Sequence, residues 1–352
     1  MQQPHDEVLI ETIGTNPRVV WASRQARDTR ITNLFRGAEG ALIERLVKDV
    51  VKTKTVTTWT GRDGNATGRI YAAHPVVGPD NAVNGVQLVY GASVATPTAS
   101  AAAFQWTLDD TAAEPPRLHA TWELLDLLEV PPRQRDRALY AYGPLDFFNR
   151  VARLADLVQM WEAILTAEPG YAEIGTVIIR TSTGRAGLLL YAQRQVQTEA
   201  GPRLRVLCQD ITDTADMKRL RRAMYDMQLA EAAVTGQGMY GCVLDARWPS
   251  TCILRWLTPF VPGFGHGIST GQTAGVHPED QLRVPVMLTT ALETGGGVHD
   301  SLRVRPGFGS DPWIGEDGWM TVRFHAQLID PEVAPTLALS QFYPNDSTQS
   351  SI

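Results

Sequence analysis

The pattern of apolar and polar positions repeats three times along this chain. In each repeat, apolar residues at helical spacing are followed by three segments in which apolar and polar residues alternate, the pattern of strands. Helices are predicted at Ala41–Thr53, Leu154–Thr166 and Val284–Thr294. The strands after them are predicted at Val56–Thr60, Arg69–Val77, Val83–Tyr90, Ile174–Arg180, Ala186–Val196, Arg203–Ile211, Ser301–Arg305, Trp319–Leu328 and Thr336–Phe342. The repeats end about 120 to 130 residues apart, the length of a whole domain, so the pattern indicates one domain architecture used three times.

The predicted fold class is α+β, with an antiparallel sheet covered by helices in each domain. The helix Leu154–Thr166 has the clearest pattern, because its apolar residues form a single stripe at Leu154, Leu157, Val158, Trp161, Ile164 and Leu165. Residues 197–202 have turn composition, so the last two strands of the second repeat are predicted to form a hairpin. We expect the final hairpin to be central in each sheet and the main helix to pack on or beside it.

Changes in composition divide the chain into six segments. Residues 92–103 are small and uncharged, which is typical of a linker. The tail after Pro344 is polar and is expected to be disordered. The predicted segments are a first domain at 1–91, the linker at 92–103, a second domain at 104–213, a connecting signalling helix at 214–238, a third domain at 239–343 and the tail at 344–352.

The connecting helix is predicted to run from Thr212, whose side chain can cap it, to Val234. Apolar residues occupy alternating a and d heptad positions, at Met217, Leu220, Met224, Met227 and Val234. The pattern covers about two and a half heptads, fewer than a firm coiled-coil assignment needs. Two interpretations stay open: a seam that pairs with a second protomer to give a homodimer, and a helix packed on its own domain.

Composition is that of an ordinary globular protein and argues against several classes of partner. The 352 residues carry a net charge of −6, which argues against a broad nucleic-acid-binding face. No segment approaches the ~18 uninterrupted apolar residues of a membrane span, and the N-terminus lacks the basic and apolar regions of a signal peptide. The 3 cysteines are widely spaced, as in a reducing compartment. We expect a cytoplasmic protein with no nucleic-acid or membrane partner.

The layout of the repeats resembles PAS and GAF sensory domains, which have a strand start, short helices, a longer helix and a three-strand meander. The second repeat is similar to a PAS domain in Trp122–Val130, in the turn Arg180–Arg185 and in Gln209–Asp213. The last of these matches the Asp-Ile-Thr signature at which PAS domains hand over to an output helix. The second repeat lacks the His-Pro-x-Asp element of the family, which is found in the third repeat at His277–Asp280.

The first repeat matches the PAS pattern least well. Its segment Ala73–Val77, followed by Asn84–Leu88, is similar to a GAF hairpin, and both a GAF-like and a PAS-like domain stay open at this repeat. The arrangement as a whole resembles actinobacterial triple-sensor proteins that carry a GAF-like and two PAS-like domains without an effector. That resemblance implies a sensory fold and a binding role.

Two motifs suggest phosphate chemistry, and both have a structural explanation. His299–Pro306 is superficially similar to the phospho-acceptor box of a histidine kinase, but Leu302 and Val304 alternate with polar residues as in a strand, whereas that box lies on a helix. The glycines of Gly263–Gly267 lack the Gly-Lys-Ser/Thr of a phosphate loop, so a flexible loop is predicted.

His277 and the cysteines are the candidate metal ligands. Some PAS domains bind haem through a histidine near the position of His277, but the Pro-Glu-Asp that follows it is typical of a helix start, which we favour. Cys242 and Cys252 lack a nearby histidine or cysteine pair, so no zinc site is predicted. Cys208 is predicted to be a small buried apolar residue.

These features predict a non-catalytic sensory or signalling protein. A small molecule would bind between a sheet and its helices, and the connecting helix would carry the change to a downstream signalling protein or second protomer. The sequence identifies no cofactor. The alternative is a ligand-free protein-interaction scaffold, in which aromatic residues such as Phe147, Phe148 and Trp161 fill the domains. An enzyme would require a cleft with convergent polar groups of shifted pKa.

Overall fold

The computed structural model describes residues 6–60, 68–93, 96–108, 114–135, 143–235, 239–248, 252–258, 276–294, 297–304, 318–330, 332 and 334–344. The chain forms two compact units. Unit 1 comprises Met1–Asp109, Pro116–Tyr140 and Ala163–Arg221, and unit 2 comprises Asp110–Pro115, Ala141–Glu162 and Arg222–Ile352. Among the helices in the described part of the chain, none is long and apolar enough to cross a membrane.

Unit 1 begins with an antiparallel sheet, the first sheet. Its strands are β1 (Asp6–Glu11), β2 (Arg18–Ala22), β3 (Gln25–Arg30), β4 (Thr57–Thr60), β5 (Ile70–Val77) and β6 (Val83–Gly91), in the order β3-β2-β1-β6-β5-β4. Two helices, α1 (Ile31–Leu34) and α2 (Gly37–Thr53), connect β3 to β4. The predicted helix and meander are confirmed, with α2 starting earlier than predicted. The strands β1, β2 and β3 were not predicted from the sequence.

The second sheet of unit 1 is formed by β7 (Ala101–Thr107), β8 (Arg117–His119), β9 (Ala172–Arg180), β10 (Ala186–Thr198) and β11 (Gly201–Asp210), with α3 (Trp122–Leu127) packed beside β7. The strand order is β8-β7-β11-β10-β9, so the final hairpin is central, as predicted. The linker predicted at 92–103 extends too far, because Ala101–Ala103 already belong to β7. Their small side chains let this strand pack beneath the first sheet, and both Ala102 and Ala103 are fully buried.

The first two sheets pack against each other and share a core. One side is contributed by Leu9, Ile13, Val20, Trp21 and Val76, and the other by Ala103, Leu190, Ala192, Leu207 and Ile211. The two sheets approach each other closely at Gly85 of β6, where a Cβ atom would lie only 2.5 Å from Leu207 Cδ2. The opposite face of the first sheet is covered by α2, which buries Ile43, Leu46, Val47 and Val50. Unit 1 is therefore a layered structure of a helix and two sheets.

Unit 2 contains the third sheet, formed by β12 (Tyr240–Asp245), β13 (Cys252–Trp256), β14 (Val298–Val304), β15 (Met320–Asp330) and β16 (Ala334–Pro344). Its order, β13-β12-β16-β15-β14, is the topology of the second sheet. Helix α4 (Pro144–Phe148) lies in this unit, and α5 (Leu154–Thr166) begins in it. The helices α6 (Met217–Thr235) and α7 (Arg283–Thr294) follow in the chain.

The compact units do not follow the predicted boundary between the second and third domains. Residues Ala141–Glu162, placed by the sequence in the domain 104–213, belong to unit 2. Leu145 of α4 is part of the third-sheet core, and Trp161 Nε1 of α5 donates a hydrogen bond of 2.7 Å to Asp245 Oδ2 on β12. The apolar stripe of α5 was correctly identified, but the pattern alone could not indicate which sheet it covers.

Candidate functional site

A row of polar side chains crosses four neighbouring strands of the second sheet, on the face that packs against the first sheet. The strand register places His119 of β8 opposite Gln105 of β7, Gln105 opposite Arg205 of β11, and Arg205 opposite Arg194 of β10. The next row inward is apolar and belongs to the core between the sheets (Ala103, Leu207 and Ala192). Because residues two apart on a strand share a face, the polar row lies beside that core. We call these four residues the inter-sheet band.

Two ion pairs connect the inter-sheet band to the first sheet and its turns. Arg205 Nε donates to Asp80 Oδ2 at 3.0 Å, and Arg194 Nη2 donates to Glu11 Oε2 at 3.4 Å. Glu11 is only 4% exposed, and its other oxygen accepts a hydrogen bond of 2.8 Å from Gly14 N. A buried carboxylate is tolerated because it has both a cation and an additional donor.

Several buried polar atoms around the inter-sheet band have no hydrogen-bond partner among the described residues. They are Asn84 Oδ1, Gln105 Oε1, His119 Nε2 and Arg194 Nε. Asn84 is fully buried, and its amide crosses between the sheets, with Nδ2 donating to Val206 O at 3.4 Å. Gln105 is 7% exposed. Each buried polar atom left without a partner costs about 1–3 kcal/mol, so native proteins rarely retain several together.

The electrostatic environment of the inter-sheet band is positive near His119. Burial lowers the pKa of His119, and the neighbouring charges of Arg203 and Arg117 lower this pKa further. Arg203 lies two residues before Arg205 on β11 and is only 9% exposed, and its Nη1 donates to Pro202 O at 2.9 Å. At neutral pH the His119 ring is therefore uncharged and has one nitrogen that can donate and one that can accept.

The other face of the second sheet has a polar cluster in which the carboxylate is fully satisfied. Glu173 accepts hydrogen bonds from the Tyr171 hydroxyl at 2.6 Å, the Tyr191 hydroxyl at 3.2 Å and Gln193 Nε2 at 2.7 Å. Burial, followed by the hydrogen bond to Glu173, raises the pKa of Tyr171. Because the donors and the acceptor satisfy one another, this cluster has the character of a structural network.

The end of the second sheet is tied to the first sheet and to the segment leading into α6. Asp210 Oδ1 accepts from Thr212 N at 2.9 Å, and Thr212 Oγ1 accepts from Leu188 N at 2.9 Å. Arg24 Nη2, from the turn between β2 and β3, donates to Asp213 O at 2.8 Å. Thr212 does not cap α6 as predicted: a short 3-10 turn occupies Thr212–Thr214, and the α-helix begins at Met217.

The predicted seam of α6 lies mostly inside the chain. Leu220, Met224 and Met227 are 1%, 9% and 3% exposed, whereas Met217 is 52% exposed. The side chain of Val234 is outside the described residues. Three seam residues thus have little surface left for a second protomer, which favours the internally packed alternative. The dimer interface itself stays a prediction.

The element at His277 differs from the predicted helix start. Residues 278–282 form turns, and α7 begins at Arg283. Asp280 accepts hydrogen bonds from Arg303 N at 2.8 Å and Arg303 Nε at 3.0 Å, so the acidic residues hold the turn against β14 instead of capping a helix. The His277 ring packs edge-on against Trp319, with 4.7 Å between the ring centroids.

Cys208, Cys242 and Cys252 are buried, which confirms the prediction for Cys208, and burial raises the pKa of the Cys208 thiol to about 12. Residues 299–304 lie on β14, in agreement with the predicted strand. Gly263–Gly267 and the tail are outside the described residues. No group of three or more potential metal ligands occurs in the part of the chain that the structure describes.

The inter-sheet band was not predicted from the sequence. Gln105 stands between Phe104 and Trp106, and Arg205 stands between Leu204 and Val206. This alternation predicts strands with a polar face toward solvent. A signal for the band appears only when the strands are aligned side by side, because the polar residues then form one row across four strands. That alignment requires the strand register, which the sequence does not provide.

Comparison with known proteins extends these observations. A family model described as "Rv3651-like, N-terminal" matches residues 6–99. A crystal structure of an uncharacterized protein from Mycobacterium tuberculosis is similar over 97% of both chains, with a TM-score of 0.66 and 19% identity. An RNA-binding light-oxygen-voltage receptor gives a TM-score of only 0.27 at 10% identity, over 69% of this chain and 94% of that chain. A search of curated proteins found no match. The chain therefore shares its fold with the mycobacterial protein over nearly the full length of both.

Proposed function

We propose that this chain is a non-catalytic sensory or signalling protein that binds a small molecule through PAS/GAF-like sheets and passes the change to a protein partner. The observation that carries the proposal is the inter-sheet band, where buried polar atoms without described partners lie between two sheets. A ligand that supplies the missing hydrogen bonds would contact both sheets at once. The shared topology of the second and third sheets supports the PAS-like assignment.

Binding at the inter-sheet band would affect the output segment through direct contacts. Arg24, between β2 and β3 of the first sheet, also donates a hydrogen bond to Asp213 O in the short turn between β11 and α6. A change in sheet packing would therefore reach the start of that helix. The ligand can shift this equilibrium only by the difference between its affinities for the two packing states.

A thermal-shift screen of the full chain tests the proposal. Nucleotides, haem, flavins and fatty acids are the first probes, and each compound is assayed after incubation for chemical change. A ligand at a hundred times its dissociation constant stabilises the folded state by about 2.7 kcal/mol, which raises the melting temperature by several degrees. We expect saturable stabilisation with the compound recovered unchanged. Turnover of a stabilising compound would overturn the non-catalytic assignment.

The second candidate is a ligand-free interaction scaffold, and the aromatic packing of unit 2 favours it. Phe147, Phe148 and Trp161 are buried, with ring centroids 5.4 Å apart in the first pair and 5.6 Å apart in the second. An open groove of about 300 Å³ also lies in this unit, lined by Leu154, Leu257, Gln327, Leu328, Ile329 and Leu339. A screen with no stabilising compound, together with recovery of a stoichiometric protein partner, would support the scaffold instead.

A further inference from the structure

We propose that the inter-sheet band binds a small oxyanion, a phosphate- or carboxylate-bearing molecule that also carries hydroxyl or amino donors. The inference rests on the proposed binding function and specifies the ligand class for that site. It is carried by the position of the arginines and by the buried polar atoms without described partners.

The arginines supply the anion-binding side. Arg205 and Arg203 lie two residues apart on β11 and share the face turned toward the first sheet. Arg117 of β8 lies opposite Thr107 of β7 and is close enough to His119 to lower the pKa of that ring, as Arg203 does. The planar guanidinium group binds phosphate and carboxylate with paired, charge-assisted hydrogen bonds. Asp80 and Glu11 orient Arg205 and Arg194, and these carboxylates also limit how much negative charge the site accepts.

The buried amides supply the second half of the recognition. Asn84 Oδ1 and Gln105 Oε1 are acceptors, and both residues are more than nine-tenths buried. An anion with no donor would leave these oxygens unsatisfied. A hydroxy acid, an amino acid or a sugar phosphate provides an oxyanion for the arginines and a donor for the amides in one small molecule. Buried water alone is the competing explanation, because waters commonly satisfy such groups.

Nuclear magnetic resonance of the His119 ring in the full chain tests the proposal. Inorganic phosphate and malate are the probes, and His119→Gln identifies the His119 signal among the 7 histidines. We expect a saturable shift of that signal with either probe. The pKa of His119 should rise on binding, because the anion offsets the neighbouring arginine charges. Malate should bind more tightly than succinate, which has the same two carboxylates but lacks the hydroxyl that can donate to an amide oxygen.

Matched variants separate binding at the inter-sheet band from general ion effects. Gln105→Leu and Arg117→Gln should each weaken binding at least about tenfold, the loss expected for a charge-assisted or buried hydrogen bond. The controls are Gln195→Leu, which makes the same change at a buried position on the other face of the second sheet, and Arg180→Gln at the end of β9. Circular dichroism checks that all four variants fold.

Three results would overturn the oxyanion site. One is an absence of saturable shifts, as expected for buried water alone. Another is an equal response of all histidines, as expected for an adventitious ion. The third is unchanged affinity in Gln105→Leu and Arg117→Gln. A different compound that stabilises the parent chain and these two variants equally would leave the proposed binding function standing while excluding this site.

Discussion

At the scale of single residues, several charged side chains form hydrogen bonds and ion pairs between different strands and turns. Asp280 is the clearest case, because it accepts hydrogen bonds from both the backbone and the side chain of Arg303. The side-chain hydrogen bond from Arg303 lowers the pKa of Asp280 to about 2, from an ordinary value of 3.8. The folded state therefore favours the ionised form more strongly than the unfolded state does.

This difference predicts how the stability of unit 2 depends on pH. Because the pKa of Asp280 is lower in the folded state, its ionised carboxylate contributes stability that is present above about pH 4 and is lost as the pH falls toward about 2. Above pH 4, Asp280→Asn should therefore unfold at a lower urea concentration than the parent. The difference between the two urea midpoints should shrink between about pH 4 and pH 2. Asp49→Asn, at an exposed position, should stay within about 0.5 kcal/mol of the parent. A gap that is constant with pH would contradict the role given to the Arg303 contact.

Helices and strands were predicted correctly from the sequence where a single pattern of apolar and polar side chains determines the element. Helix α5 has its predicted bounds because its apolar stripe is unambiguous, and all nine predicted meander strands are present within a few residues of their ends. The strand β3 was missed because Gln25–Arg30 is polar and almost fully exposed, so it carries no alternation. The inter-sheet band was missed for a different reason. A polar strand face normally predicts contact with solvent, but here the polar face of the second sheet packs against the first sheet.

At the scale of elements, helix α6 has two faces with different expected roles. Leu220, Met224 and Met227 are buried, whereas Tyr225 and Leu229 are 63% and 56% exposed. Met224→Glu should bury a charge and destabilise the protein by more than about 3 kcal/mol. Leu229→Glu places the same charge on the exposed face of the same helix and should change stability by less than about 0.5 kcal/mol.

Thermal unfolding of both α6 variants at two protein concentrations, with light scattering, separates the interpretations of the seam. If the seam packs internally, Met224→Glu lowers the melting temperature equally at both concentrations, without a change in molecular mass. If the parent is a dimer and Met224→Glu is a stable monomer, the apolar residues of α6 form a dimer interface and the internal-packing interpretation is wrong.

At the scale of the whole molecule, unit 1 depends on the close contact between its two sheets. A Cβ at Gly85 would lie 2.5 and 2.7 Å from the Leu207 methyl groups and 3.0 Å from Ile10 O. Because this contact joins both sheets, loss of complementarity there should weaken the whole of unit 1 and not the first sheet alone. It also borders the polar row on which the proposed ligand site depends.

Gly85→Ala should therefore destabilise unit 1 by about 1–3 kcal/mol, the usual cost of overpacking a close-packed core. The cost should be smaller in a Leu207→Ala background, where the added methyl group has space, and urea unfolding of the four proteins gives this coupling directly. Gly187→Ala is the control, since its Cβ would meet its nearest neighbour, Ile179 Cγ1, at 3.3 Å, a milder contact than the 2.5 Å at Gly85. Additive effects of Gly85→Ala and Leu207→Ala would show that the two sheets do not meet there, and the inter-sheet band would then lose its structural basis.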